Sequence, residues 1–282
     1  MGSNQEAALY LRHKREQISP EDAGFPMSPR RRTKGLRRAE VAQLAGLSVG
    51  YYDQIEQGKL SGVSEQVLKA VGGALRLTDS ELVYLYGLTR GESSFATQVM
   101  DEKEIPWSYL RLLEGLRPLP AHLSDNRFNI LALNPECREL LWPLKHAELP
   151  VNQVRFSFLD PRAKQLYRDW ESRVAGQVGI IRRLRGEFPC DTQLEDLVTE
   201  LTNASPVFKQ MWGGYPVEPY ARHTHLYRHP DLGECDLAAI LFISPAPEVV
   251  ALCVFVPEPG SASEAFCRQL SELAGSSYHS QL

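Results

Sequence analysis

Residues 37–59 read RRAEVAQLAGLSVGYYDQIEQGK, two short apolar-striped segments about a glycine. Val41, Leu44 and Ala45 recur at helical spacing and give the first segment one apolar face. Gly46 follows at once, where a helix end favours a residue that accepts the left-handed conformation. Leu47 plugs the space between the two helices, and Ser48 supplies an N-cap hydroxyl for the second. Tyr52 and Ile55 face inward, which leaves Val49, Gly50, Asp53 and Gln54 on or beside the outer face. Gly58, after Gln57, ends the second helix as another glycine just past a helix terminus. Two helices joined by a glycine-containing turn of this length form the helix-turn-helix plan, whose second helix enters a DNA groove. An ordinary helical hairpin shares the periodicity.

The flanking sequence extends a helical head to about residue 90. Glu6 to Gln17 predicts a helix with Arg12, Lys14 and Arg15 on its exposed face. Residues 19–36 are rich in Pro and Gly and predict a long loop. Within it and just after it, Arg30, Arg31, Arg32, Lys34, Arg37 and Arg38 place six cations in nine positions. Beside a DNA-facing helix such a run can track phosphates, each neutralised phosphate adding roughly 0.9 to the log–log salt slope. Ser64 to Leu75 predicts a fourth helix with Val67, Leu68, Val71 and Leu75 inward, and Gly72-Gly73 marks close packing. Thr78 caps a fifth, with Leu82, Leu85 and Leu88 inward.

The pattern A-x-L-A-G-L-S followed by Y-Y-x-Q-I-E-Q-G-K resembles the Cro/CI-type (XRE) helix-turn-helix family over more than twenty positions. The resemblance implies a phosphate contact at Arg38 and base-reading positions at Val49, Gly50, Asp53 and Gln54. It places Tyr51 and Lys59 at backbone-contact positions, puts Ser48 at the DNA-facing helix start, and makes Glu56 structural. Where the family often carries Gln, Arg or Ser, this chain has Val49 and Gly50. Valine can touch a thymine methyl and Gln54 can pair with adenine, whereas Gly50 reads nothing with a side chain. Direct readout is therefore expected to be sparse, with more left to DNA shape.

At 282 residues the chain has room for two domains. Its formal charge of −4 is unevenly divided, +3 over residues 1–90 and −7 over residues 91–282, which suits one DNA-contacting end and one end with another task. The five cysteines, Cys137, Cys190, Cys235, Cys253 and Cys267, form no C-x-x-C pair, and an odd count does not suggest a disulfide framework. The longest apolar run, Val249 to Val256, is too short to cross a bilayer, and no signal peptide is read at the start, so the expectation is a cytoplasmic protein.

Residues 91–106 read as a linker with some helical content. After it, Trp107 to Leu116 predicts a helix, and residues 121–124 and 128–133 flank the polar turn Asp125-Asn126-Arg127 as a hairpin. Asn134-Pro135 starts a helix as N-cap and first helical residue. Helices follow over 161–178, 194–203 and 205–212, then strands over 226–229, 235–243 and 249–256. The fold class is α+β: an all-α five-helix head, then an antiparallel five-stranded sheet with helices on one face, with residues 264–282 left as a tail.

The strings PAHLSDNRFNILALN, FLDP, YRDW, SPVFKQMW, HPDLGECDL and PEPGS resemble the MmyB-like (MltR-like) ligand-binding domain over residues 107–263. That resemblance implies a PAS-like fold and a pocket for a small apolar ligand such as a fatty acid. Phe128, Phe156, Phe158, Trp170, Phe208, Trp212, Phe242 and Phe255 are the large groups available to line it or to fill a solid core. A carboxylate ligand needs a cation at the mouth, for which Arg127, Arg222 and Arg228 are candidates. His223, His225 and His229 lack a cysteine or acidic residue to complete a metal set, so no metal and no resident cofactor are expected. G-x-S-x-G, P-loop and H-E-x-x-H motifs are absent, and the chain is not read as an enzyme. The expected partners are double-stranded DNA, a small apolar ligand and a second copy of the chain. The alternatives are a helix-turn-helix used for protein contact and an enzyme built on the second domain.

Overall fold

In the computed structural model, the described residues are 3–26, 33, 35–90, 105–188, 191–214, 223–243 and 251–279. They divide into two compact units.

The first unit holds α1 (Ser3–Gln17), α2 (Arg38–Ala45), α3 (Val49–Glu56), α4 (Glu65–Ala74) and α5 (Asp79–Arg90). Each boundary has a local cause. Gly46 adopts φ 68° and closes α2, Ser48 caps α3 by accepting from the Tyr51 amide at 3.2 Å, and Ser64 caps α4 in the same way at Val67. Thr78 and Glu81 exchange backbone-to-side-chain hydrogen bonds at the start of α5 as a reciprocal capping box. Gly58 takes φ +81°, and a Cβ there would lie 2.6 Å from the Asn4 carbonyl oxygen, so α1 and the end of α3 meet only because this residue is glycine. Gly72 makes a close helix contact against Leu82, whereas Gly73 faces open space and does not share that role. Tyr10, Leu11, Val41, Tyr52, Ile55, Val71, Tyr84 and Leu85 form the fully buried centre.

Among the described residues this unit also takes 179–188, 191, 213 and 214. The first of these segments carries the last turns of α10 (Trp170–Glu187). Here Arg182 and Arg185 close on the buried carboxylate of Glu6 at 3.1 and 2.7 Å, and the Tyr84 hydroxyl donates to it at 2.7 Å. Gly186 is required there, because a Cβ would fall 2.5 Å from the Tyr84 ring.

The second unit is built on a sheet of β1 (Ala121–Ser124), β2 (Asn129–Leu133), β3 (Val151–Asn152), β4 (His223–His229), β5 (Gly233–Ile243) and β6 (Ala251–Val256). The spatial order is β3-β2-β1-β6-β5-β4 and each pairing is antiparallel. The sheet therefore has six strands among the described residues where five were expected. The extra one, β3, is two residues long and leaves no period-two pattern to read. The expected hairpin is present. Asp125 holds its turn by accepting from the Arg127 and Asn129 amides at 2.8 and 2.9 Å, while Phe128 takes φ +66°.

One face of the sheet packs under α7 (Pro135–Leu140), α8 (Gln153–Leu159), α9 (Ala163–Leu166) and α13 (Ala262–His279), around Ile130, Leu140, Phe156, Leu166, Tyr227 and Phe255. Asn134 caps α7 by accepting from the Cys137 amide, with Pro135 at its first position, as the sequence predicted. The opposite face, with Leu123, Leu131, Leu252 and Val254, is covered by α6 (Trp107–Gly115) through Leu113. Helices thus lie on both faces rather than one. Residues 264–282 are not a tail in their described part: Phe266, Cys267, Leu270 and Ala274 of α13 are buried in the main core. The remaining helices of this unit are α11 (Thr192–Ala204) and α12 (Pro206–Gly213).

Candidate functional site

In the helical unit, α3 is held from below by one carboxylate. Glu56 is fully enclosed and accepts from Arg15 Nε at 2.6 Å, Arg15 Nη2 at 2.9 Å, Arg38 Nε at 2.8 Å and the Tyr52 hydroxyl at 3.0 Å. Burial alone pushes the Glu56 carboxyl up, but the bonds from Arg15, Arg38 and Tyr52 outweigh it and hold the group below its usual range. The inner edge of α3 is thereby fixed to α1 and α2. Arg38 stays 45% exposed while bonded to Glu56 and lies 3.1 Å from Asp53 Oδ1, a contact of charge rather than a well-aligned hydrogen bond. That places a fixed cation at the rim of α3.

The outer face of α3 separates the expected readers. Val49 is half exposed and Gln54 is exposed, and the Gln54 amide group has no side-chain partner among the described residues. Gly50 faces open space, so nothing in the protein itself demands glycine there. Asp53 is committed, to Arg38 on one side and to Gln57 Nε2 at 2.8 Å on the other. Ser48 spends its hydroxyl on the Tyr51 amide, and the Tyr51 side chain packs partly against the core. Lys59 is exposed, three residues past the end of α3. Arg30, Arg31, Arg32 and Lys34 lie outside the described residues. The sequence reading missed Arg15, whose guanidinium is buried against Glu56; its position on the presumed exposed face of α1 concealed this.

In the sheet unit the expected aromatic set divides in two. Phe158 meets Phe208 edge-on at 5.1 Å and Trp170 at 6.5 Å, and Phe208 stacks on Trp212 at 5.6 Å, making one string across α8, α10 and α12. Phe208 is buried, while Phe158, Trp170 and Trp212 keep accessible surface. Phe156 belongs instead to the main core, edge-on to Tyr167 at 6.1 Å. Phe128 sits partly buried in the hairpin turn. Phe242 is 57% exposed near the end of β5, on the opposite sheet face from Phe255, and does not join the string.

The expected head-group cations fare less well. Arg228 is an exposed residue paired with Glu234 at 3.0 Å. Arg127 is buried in the hairpin turn, its carbonyl accepting from Asn152. Arg222 lies outside the described residues.

The sheet brings together a polar group that the linear pattern did not assemble. Cross-strand partners His122 and Cys253, Leu237 and His225, and Cys235 and Tyr227 share the face under α8 and α9. Against them, Arg173 of α10 donates from Nη1 to His225 Nδ1 at 2.8 Å and lies 4.0 Å over the Tyr167 ring and 6.0 Å from that of Tyr227. His122 is buried, and burial with the Arg173 charge added pushes it down to about 3, so it stays neutral. Gln153 Nε2 lies 2.7 Å from its Nε2. Period-two spacing of His225, Tyr227 and His229 on β4 was the available signal for this cluster. His229 is spent on its own turn, where Nδ1 accepts from the Asp231 and Leu232 amides.

Two family models match the chain. One describes the MmyB-like transcription regulator ligand binding domain and matches residues 105–270. The other describes a helix-turn-helix domain and matches residues 8–85. No curated protein matches the chain.

Proposed function

The chain belongs to the family of MmyB-like transcription regulators, and we propose how its two parts are used. It is a DNA-binding transcription regulator with a ligand-sensing domain. In our reading the helical unit binds an operator as a homodimer, on a pseudo-palindrome with half-sites about one helical turn apart. Val49 and Gln54 read bases, Arg38 and Lys59 hold phosphates, and the basic loop with Arg30, Arg31 and Arg32 adds affinity without sequence. The observation that carries this reading is the outer face of α3: Gln54 and Val49 stand exposed on a helix whose inner edge is clamped through Glu56.

The sheet unit takes a small apolar ligand, a fatty acid being the class proposed. The string of Phe158, Trp170, Phe208 and Trp212 supports this, because it joins four large apolar side chains of which three residues keep accessible surface. Ligand binding regulates DNA binding only through different affinities for DNA-competent and incompetent states. The site of action is the cytoplasm.

The purified chain should shift its own promoter region at physiological salt in the presence of excess random DNA. Equal competition by random DNA would rule out operator function. Gln54→Ala should relax preference at one base position by about 1–3 kcal/mol, whereas Arg38→Ala should weaken all sequences alike. A uniform loss for Gln54→Ala sinks its assignment as a reader. Mass spectrometry of a solvent extract of the purified protein should return a molecule of fatty-acid class.

A further inference from the structure

Helix α10 belongs to both units: residues 170–178 fall in the sheet unit and residues 179–187 in the helical unit. Its last turns lie within the stretch matched as ligand-binding domain, yet they complete the helical unit. Arg182, Arg185 and Gly186 stand three and four positions apart and so share one helix face. Both guanidiniums reach Glu6 of α1, which the Tyr84 hydroxyl of α5 also meets, and Gly186 lies against the Tyr84 ring. Arg182 and Glu6 are almost fully buried, so loss of either partner leaves a charge uncompensated away from water. From Glu6 the connection to α3 is short. Further along α1, Arg15 holds Glu56 of α3 at 2.6 and 2.9 Å. Just before Glu6, the Asn4 carbonyl stands against Gly58, past the end of α3, with no room for a Cβ. Helix α1 is thus tied to α10 through Glu6 and to α3 and its exit at two points. Neither Glu6 nor the two arginines fall within residues 8–85 that match the helix-turn-helix domain.

We infer that Arg182 and Arg185 are positioning residues for DNA reading: through Glu6 they set where α1 stands, α1 sets the angle of α3, and α10 thereby couples the sheet unit to the recognition helix. This rests on the reading of the helical unit as an operator-binding head. A helix shared by two units is a rigid element that both can bias, which is the physical requirement for coupling between them. Its first half begins at Trp170, a member of the aromatic string, and its last turns hold Glu6. A change of packing at the string therefore acts on the same helix that braces α1. Coupling of this kind is reciprocal, so DNA bound at α3 must act on the sheet unit by the same free energy.

Two measurements on the full chain test this, with its own promoter region as operator DNA. The first is the ratio of operator to random-DNA affinity, which a simple loss of stability leaves unchanged because both DNAs draw on the same folded fraction. Arg182→Met should lower that ratio about fivefold or more, the scale of coupling between sites. Arg182→Lys, which keeps the charge, should recover part of the loss. The second uses the four tryptophans, Trp107, Trp142, Trp170 and Trp212, which all lie in the sheet unit, so that their fluorescence reports unfolding of that unit alone. Saturating operator DNA should raise the urea midpoint of the tryptophan transition in the natural chain, and raise it no more than about half as far in Arg182→Met. Should Arg182→Met fail to fold, Arg185→Lys and Glu6→Asp, which keep every charge and change only its reach, decide by the same criteria. An unchanged ratio overturns the inference and leaves operator binding standing, as does a tryptophan transition that ignores operator DNA in the natural chain or shifts equally in the variant. A natural chain that does not distinguish operator from random DNA overturns the operator reading and the inference with it.

Discussion

In the helical unit Arg15 lies against Glu56 and Arg182 against Glu6, whereas in the sheet unit Arg173 lies against two tyrosines and a histidine. Both environments remove a guanidinium from water, but only the first returns a carboxylate. In the helical unit Glu56 and Glu6 each gather two arginines and a tyrosine hydroxyl, which fixes the packing around both carboxylates. That suits an element whose task is to hold a recognition helix at one angle. The sheet unit keeps Arg173 half-buried, with no carboxylate within ion-pair distance among the described residues.

Cutting each cluster is the strongest way to break this contrast. Glu56→Ala leaves Arg15 buried without its anion and should cost about 3–5 kcal/mol in urea unfolding of the helical unit. A loss below 1 kcal/mol would mean that Glu56 does not hold α3. Gly58→Ala should cost roughly 2 kcal/mol, because φ +81° is strained for alanine and its Cβ meets the Asn4 backbone. Arg173→Met should move stability by less than about 1 kcal/mol in the ligand-free chain, or raise it, since the change removes an unpaired charge rather than a pair. A large destabilisation by Arg173→Met would place it with the structural arginines and erase the difference.

The smallest effect sharpens the contrast by pH. Glu56 is held below its usual range in the folded state, so its contribution is fully present above the unfolded value near 4.5 and is lost as pH falls through its depressed folded value. Melting temperatures taken down through that window should fall more for the natural chain than for Glu56→Gln, which has no carboxylate to protonate. Parallel curves would show that this carboxylate does not govern the acid sensitivity of the helical unit.

Much of the helical unit was legible because its signals are local. Gly46, Ser48, Gly58 and Ser64 act within a turn of their own position, and each ends or starts a helix where its chemistry predicts. The hairpin at Asp125 and the cap at Asn134 were readable for the same reason. What failed was long-range. Strand β3 is too short to show alternation, α6 covers a sheet face that no linear pattern assigns to it, and α13 joins a core assembled from distant strands. Candidate head-group arginines near the strands were chosen by proximity in sequence, and Arg228 turned out to be paired across its own hairpin.

By itself the sequence determined the helix-turn-helix, its exposed Val49, Gly50 and Gln54, and an α+β partner domain, because caps, turns and apolar periods are written in neighbouring residues. Only the tertiary structure decided which charges meet. It set Arg15 and Arg38 on Glu56, brought Arg182 and Arg185 to Glu6 across more than 170 positions, and left Arg173 without a carboxylate. The physical reason is that a charge is satisfied by whatever lies within about 4 Å of it in space, and separation along the chain carries almost no information about that distance.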